Sequence, residues 1–275
     1  MDPLNTAAVA EAFANARLDA RTLEAPGDWS ALDLAGAYRL QEAVVERLGP
    51  ARGWKISAVT AAQQQGLGVD GPIAAPLLAP WFKTSGSGFE RAAFCHAPLI
   101  ECEYAFAIER DLPPRALPYT RAEVEAAIGG VHVVLELCDT RLPVPASTLQ
   151  QLVDCFNNGG FVLGPKTADW RSVDYAQAPI VLRGAADGSA LATGSGSAIL
   201  DGDPVGTVVM MANLQAAPMG GLKAGQVVTT GSCIKPYAVT ADGEYIGDFG
   251  VLGAVCVRFG PAPMGGAPAA SQSRE

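Results

Sequence analysis

Leu99-Ile100-Glu101-Cys102-Glu103-Tyr104-Ala105-Phe106 is the stretch around which the rest of the chain organises itself. Its β-prone, alternating composition predicts a strand over Pro98–Glu109. Residues two apart on a strand share a face, so Glu101 and Glu103 project together while Cys102 and Tyr104 turn the other way. Two carboxylates held that close raise each other's pKa unless a cation lies between them. The alternative is that both sit on the solvent face of an edge strand. A second strand is predicted over Val131–Cys138, where Val133, Leu135 and Leu137 face one way and Glu136 the other. Three carboxylates with no cysteine or histidine among them form a hard-oxygen site, suited to Mg²⁺ or Mn²⁺ rather than to Ca²⁺ or Zn²⁺.

Between these strands, Thr120-x-x-Glu123 is a capping box opening a helix to about Ile128, and the strand-helix-strand order suggests a crossover connection. Upstream, apolar residues at helical spacing over 4–18 and 30–48 predict two amphipathic helices, the second capped by Ser30 or Asp33 and stopped by Gly49-Pro50. Gly53–Ser57 reads as a short strand, and 66–80 as a winding loop. Downstream, 139–160 reads as a long loop. Short strands are expected at Phe161–Gly164, Ile180–Arg183, Ala198–Leu200, Val227–Thr230 and Val251–Phe259, with a helix at Pro204–Ala217. Residues 261–275 offer no packing face and read as a disordered tail. The expected organisation is a helical segment over 1–50, a catalytic domain over 51–260 and that tail.

With 275 residues, 49% of them hydrophobic, the chain can bury a substantial core. A formal charge of −9 without a basic stripe argues against nucleic acid or an anionic membrane as partner. No apolar run approaches a membrane span and the N-terminus lacks a signal-peptide layout, so the cytoplasm is the expected location. The six cysteines show no Cys-x-x-Cys spacing, and Cys102, Cys138 and Cys256 fall inside strand-like runs. They read as reduced packing cysteines. His96 and His132 read as packing or surface residues rather than as ligands.

Several blocks together are similar to the 2-keto-4-pentenoate hydratase family of the fumarylacetoacetate-hydrolase superfamily. They are Gly53-Trp54-Lys55-Ile56, Gln63–Asp70, Ile100–Phe106 with Arg110-Asp111-Leu112, Leu135–Arg141, Gly159–Gly164, Leu222–Gln226 with Thr230-Gly231-Ser232, and Asp248–Gly253. The resemblance runs in order from about 34 to 259. It implies an α+β architecture, a mixed β-roll with an N-terminal helical segment, and a homo-oligomer. It also implies a divalent metal held by Glu101, Glu103 and Glu136, and a small 2-oxo acid substrate chelating that metal. Lys55 matches the family's active-site lysine, and Asp154 matches an aspartate that orients water or the lysine. Ser232 and Lys235 fall at the expected carboxylate-binding turn, where Lys235 suits a dianionic substrate or else faces solvent.

Two departures stand out. Where the family has an acid after Val-Asp-x-Pro, this chain has Ile73, and after Asp154 stand Cys155, Phe156, Asn157 and Asn158 in place of Asn-Ala-Ser. The activity the resemblance implies is hydration of a 2-hydroxy-2,4-dienoate in aromatic hydrocarbon breakdown. The competing readings are a 2-oxo-3-hexenedioate decarboxylase, an acylpyruvate C–C hydrolase and a non-catalytic paralogue.

Overall fold

A computed structural model describes residues 5–23, 27–184, 187–214 and 220–260. The expected tail, and 215–217 of the expected helix, lie outside the described residues. In chain order the strands are β1 (Ala51–Ser57), β2 (Ile73–Leu78), β3 (Phe82–Thr84), β4 (Gly88–Phe89), β5 (Leu99–Ile108), β6 (Ile128–Cys138), β7 (Asn158–Thr167), β8 (Pro179–Gly184), β9 (Ala190–Ser195), β10 (Val227–Thr229), β11 (Tyr237–Ala238), β12 (Gly243–Asp248) and β13 (Ala254–Phe259). The helices are α1 (Thr6–Leu18), α2 (Leu34–Leu48), α3 (Ala61–Leu67), α4 (Arg121–Ala127), α5 (Thr148–Val153) and α6 (Pro204–Ala212).

Strand alternation decides the layering. An eight-stranded mixed sheet runs β2-β1-β10-β5-β6-β7-β3, with β11 also on β5, and a five-stranded sheet runs β4-β13-β12-β8-β9. One face of the larger sheet presents Trp54, Ile56, Ile100, Cys102, Tyr104, Phe106, Val133, Leu135 and Leu137 to the smaller sheet, where Ile180, Leu182, Val255 and Val257 complete a single buried core. The sheets approach closely at Gly247, where an added Cβ would lie 2.9 Å from Leu135 Cδ2. A side chain there would have to displace the Leu135 side chain. The mixed sheets with a half-barrel and few helices are the β-roll expected.

The N-terminal helices pack against the rest rather than standing apart. Val9 and Phe13 of α1 and Leu40 and Val44 of α2 share a second core with Ile73, Leu78, Leu152 and Val153. Asp33 caps α2 by accepting Gly36 N–H, and Gly49 ends it. Thr120 and Glu123 form the expected capping box.

Several expectations are corrected. The helix over α4 does not cross over: β5 and β6 are antiparallel neighbours, Glu101 opposite Glu136, because α4 is a short excursion that returns the chain beside the strand it left. The stretch read as a winding loop contains the fully buried strand β2, and the Thr60/Gln63 capping box opens α3 just before it. The expected loop over 139–160 contains α5, with Ser147 and Gln150 as its capping box, and the start of β7. Ala198–Leu200 lies in tight 3₁₀ turns and not in a strand. The last strand starts at Ala254 after a 3₁₀ turn, and Pro204–Ala212 is helical while Asn213 and Leu214 are not. β3, β4, β9, β11 and β12 went unread.

Candidate active site

The face of the larger sheet opposite the core carries the acids. Lys55 on β1, Thr229 on β10, Glu101 and Glu103 on β5, and Glu136 and Cys138 on β6 all follow from the ladder register and the two-residue period. Lys55 and Glu136 sit three strands apart, roughly 14 Å on a flat sheet. Yet Lys55 Nζ donates to Glu136 Oε1 at 2.5 Å. Side chains stand roughly perpendicular to a sheet, so this contact requires the sheet to curl with the acidic face concave.

A cavity of about 370 Å³ opens on this concave face, lined by Lys55, Ser57, Val59, Gln63, Leu99, Glu101, Glu103, Cys138, Phe156, Asn157, Ala198, Ile199, Thr230, Gly231 and Ser232, with Ile56 backing it. Glu136 lies fully buried among these residues. Its Oε1 accepts from Lys55 and from Asn158 Nδ2 at 3.0 Å, while its Oε2 is buried with no hydrogen-bond partner. An unsatisfied carboxylate oxygen in a dry interior costs on the order of 1–3 kcal/mol or more. Ligand atoms of Glu101, Glu136 and Cys138 lie within 4.8 Å of one another. Glu103 stands beside them with Oε2 accepting the Gly231 N–H at 3.0 Å.

Negative charge is crowded on this face. Burial, then the neighbouring carboxylates of Glu136 and Glu101, push the Glu103 carboxyl well above its ordinary range, and burial pushes Glu101 up as well. Desolvation pulls the Lys55 ammonium down, but Glu136, Cys138, Glu101 and Glu103 outweigh it and hold the lysine above the usual range. With these carboxylates around it, Lys55 is held in its cationic form. Burial and the surrounding carboxylates raise the Cys138 thiol, with Lys55 opposing. Oxygen donors at two strands, an orphaned carboxylate oxygen and this crowding of negative charge fit a divalent cation.

The turn after α5 forms one wall. Cys155, Phe156 and Asn157 all adopt positive φ (52°, 48° and 61°), a left-handed run costing on the order of 1–3 kcal/mol per residue. The strain places the Phe156 carbonyl 3.3 Å from Lys55 Nζ and leaves Asn157 Oδ1 buried and unpartnered. Asp154, expected to orient water or the lysine, is not brought to the cavity. Its carboxylate accepts from Arg141 Nε at 2.7 Å and Arg141 N at 2.8 Å, both groups buried. Asp154 and Arg141 thus clamp the base of the strained turn, with Arg17 of α1 reaching Asn158 O at 2.5 Å beside them. Ser232 lines the cavity but spends its hydroxyl on Ile234 O. Lys235 is exposed and outside the lining, so its charge faces solvent. Ile73 is buried against the N-terminal helices. His96 meets Asp139, the residue just after β6, without lining the cavity, and His132 meets Gly164 O.

No family sequence model matches the chain. A 2-keto-4-pentenoate hydratase of Burkholderia vietnamiensis is 31% identical over 208 residues, covering 75% of this chain and 77% of that protein. This chain belongs to the 2-keto-4-pentenoate hydratase family. A 4-oxalocrotonate decarboxylase of Pseudomonas putida is 26% identical over 258 residues, 92% of this chain and 96% of that protein. Among solved structures, 4-oxalocrotonate decarboxylase from Pseudomonas putida G7, complexed with magnesium and adipate, aligns with a TM-score of 0.83 at 24% identity over 94% of this chain and 100% of that one. That likeness shows the shared β-roll. Cys138, read from sequence as a packing residue, is the site residue missed, although its place two residues beyond Glu136 on the same strand face was a signal; Asn157 and Asn158 fall where the sequence departs from the family after Asp154.

Proposed function

We propose that this chain is a divalent-metal-dependent hydro-lyase, adding water to a 2-hydroxy-2,4-dienoate through its 2-oxo-3-enoate tautomer to give a 4-hydroxy-2-oxo acid. The observation that carries the choice of substrate is the charge of the cavity: among the described lining residues Lys55 is the only cation. A 2-oxo monocarboxylate needs positive charge at one end alone, whereas a hexenedioate needs a second cation for its distal carboxylate. Lys235, the residue expected to supply it, points to solvent. Val59, Ala198 and Ile199 fit a short apolar tail instead.

Glu101, Glu103 and Glu136 hold the cation, Mg²⁺ or Mn²⁺. When bound it supplies positive charge to the substrate's carboxylate and 2-oxo oxygens. Lys55 has three N–H donors, two directed at Glu136 and Phe156 O, and the third is available to the enolate oxygen. Ketonisation removes the proton from the C2 hydroxyl and places one on C5. Water then adds at C4, with its proton going to C3. Negative charge gathers on the C2 oxygen in both steps, and a fixed ammonium there lowers both barriers. Asn157 Oδ1, an acceptor without a partner, orients the incoming water. Neither Ile73 nor Asp154 delivers a proton to this cavity.

Relatives that match over most of the chain support the hydratase reading, among them a 2-keto-4-pentenoate hydratase and a 2-oxo-hept-4-ene-1,7-dioate hydratase. The helical segment 1–50 serves as a buttress to the 51–260 catalytic domain through Arg17. The protein works in the cytoplasm as a homo-oligomer; no helix among the described residues is long and apolar enough to cross a membrane. Light scattering showing a 28.3 kDa particle at micromolar concentration would refute the assembly. The activity is tested by ultraviolet spectroscopy of the metal-loaded protein with a dienoate, an oxohexenedioate and an acylpyruvate, followed by product identification. A 4-hydroxy-2-oxo acid from the dienoate alone is expected, and release of CO₂ from the hexenedioate as the faster reaction would overturn the reading.

A further inference from the structure

We propose that Cys138 is an inner-sphere ligand of the divalent cation, adding one thiolate to the carboxylates of Glu101 and Glu136 and tilting the site from Mg²⁺ toward Mn²⁺, Co²⁺ and Zn²⁺. The inference deepens the cation reading above and rests on it. From sequence Cys138 passed for a packing cysteine, and the acids alone implied a purely oxygen site. The fold decides otherwise, because Cys138 and Glu136 stand two apart on β6 and share the concave face.

Donor atoms of Glu101, Glu136 and Cys138 lie within 4.8 Å of one another. Three atoms within 4.8 Å of one another lie at most about 2.8 Å from a common point, so bonds of about 2.0–2.4 Å need each donor to close by roughly half an ångström. A second, independent feature marks the same point: Glu136 is fully buried, yet its Oε2 meets no hydrogen-bond donor. Cys138 also lines the cavity, together with Glu101 and Glu103. Of the six cysteines, Cys138 alone is grouped with carboxylates in this way among the described residues.

On binding, the thiol proton goes to buffer and the sulfur lone pair to the ion, with no redox change. Mg²⁺ is a hard ion that gains little from sulfur, whereas Mn²⁺, Co²⁺ and Zn²⁺ gain increasingly. A site with one sulfur therefore separates these ions more widely than three carboxylates do.

The full-length protein, stripped of metal with a chelator, is titrated with Co²⁺ and followed by absorption and calorimetry. The expected result is a thiolate-to-cobalt charge-transfer band in the near ultraviolet that saturates with the first equivalent. Cys138→Ser should lose the band and bind Co²⁺ at least about tenfold more weakly, the loss that even an outer-sphere change brings, while Mg²⁺ affinity falls less. Glu101→Gln, with Cys138 in place, should weaken the band, which a cysteine acting elsewhere would not do. Should Cys138→Ser fail to fold, cadmium NMR of the unmodified protein counts sulfur ligands directly, and one is expected. Cobalt bound by the unmodified protein without the band, or a band that survives Cys138→Ser, overturns the role of Cys138 and leaves the cation site standing. No binding of Co²⁺ or Mn²⁺ at all overturns the cation reading itself.

Discussion

β5 and β6 each carry two populations of residues that differ by one position and live in opposite surroundings. On one face Ile100, Cys102, Tyr104, Phe106, Val133, Leu135 and Leu137 are almost entirely buried in the core between the sheets. On the other, Glu101, Glu103, Glu136 and Cys138 crowd around Lys55. The core face derives its stability from area removed from water, and the concave face gives some of that back to keep charge in place. Because the strand period is two, a one-residue slip would exchange the faces. The rigid core is thus what holds the acids in register.

The sharpest break between the faces comes from the double variant Glu101→Gln/Glu103→Gln. Metal-dependent activity should vanish while the fold remains and the metal-free protein grows no less stable, as circular dichroism and calorimetry with Mn²⁺ will show. Unchanged Mn²⁺ affinity in this variant would mean that the cation sits elsewhere. On the core face, Leu135→Ala should have the opposite profile, losing about 2–5 kcal/mol of stability in denaturant titration. Activity per folded molecule should stay near that of the parent, and a large loss would show that the two faces are not separable.

Lys55→Met, measured in the metal-loaded protein, should lower kcat by on the order of a hundredfold, about 3 kcal/mol, with substrate-analogue binding roughly kept. In the metal-free protein the same change strips Glu136 of its charged partner and should also cost stability. A higher KM with unchanged kcat would instead make Lys55 a ground-state anchor.

The smallest effect is on pH. Burial raises the Glu101 and Glu103 carboxyls in the metal-free fold, so the folded chain holds protons that the unfolded chain, with glutamates near about 4.3, has released. Stability in chelator should therefore be greatest at low pH within this window and fall as pH rises from the ordinary glutamate range through the raised values, at most about 1.4 kcal/mol per pH unit for each group. Melting temperatures from about pH 5 to about pH 8 should slope downward in chelator and flatten with Mn²⁺. A flat profile in chelator would show that the acids stay ionised without the ion.

Much of the architecture was legible because it is encoded locally. Asp33 and Thr120 announce helix starts through side chains that satisfy backbone N–H groups three residues on. Glu101, Glu103, Glu136 and Lys55 stood out as charges inside apolar strands. The misses share a cause: β2 reads as loop because Pro76 and small residues weaken its pattern, yet pairing with β1 makes it a strand. The crossover expected around α4 failed because connection handedness and strand direction depend on where the chain returns, and nothing local states that.

By itself the sequence determined which residues carry charge and which strand face each occupies, since a period of two follows from backbone geometry. Only the tertiary structure decided how those faces meet. The curl of the larger sheet brings Lys55 across three strands to Glu136 and seats Cys138 with the acids. The same packing locks Asp154 onto Arg141, away from the cavity, and turns Lys235 to solvent. Distances between strands remote in sequence come from how two sheets and six helices pack together, and burial then sets the energy of every charge that packing encloses.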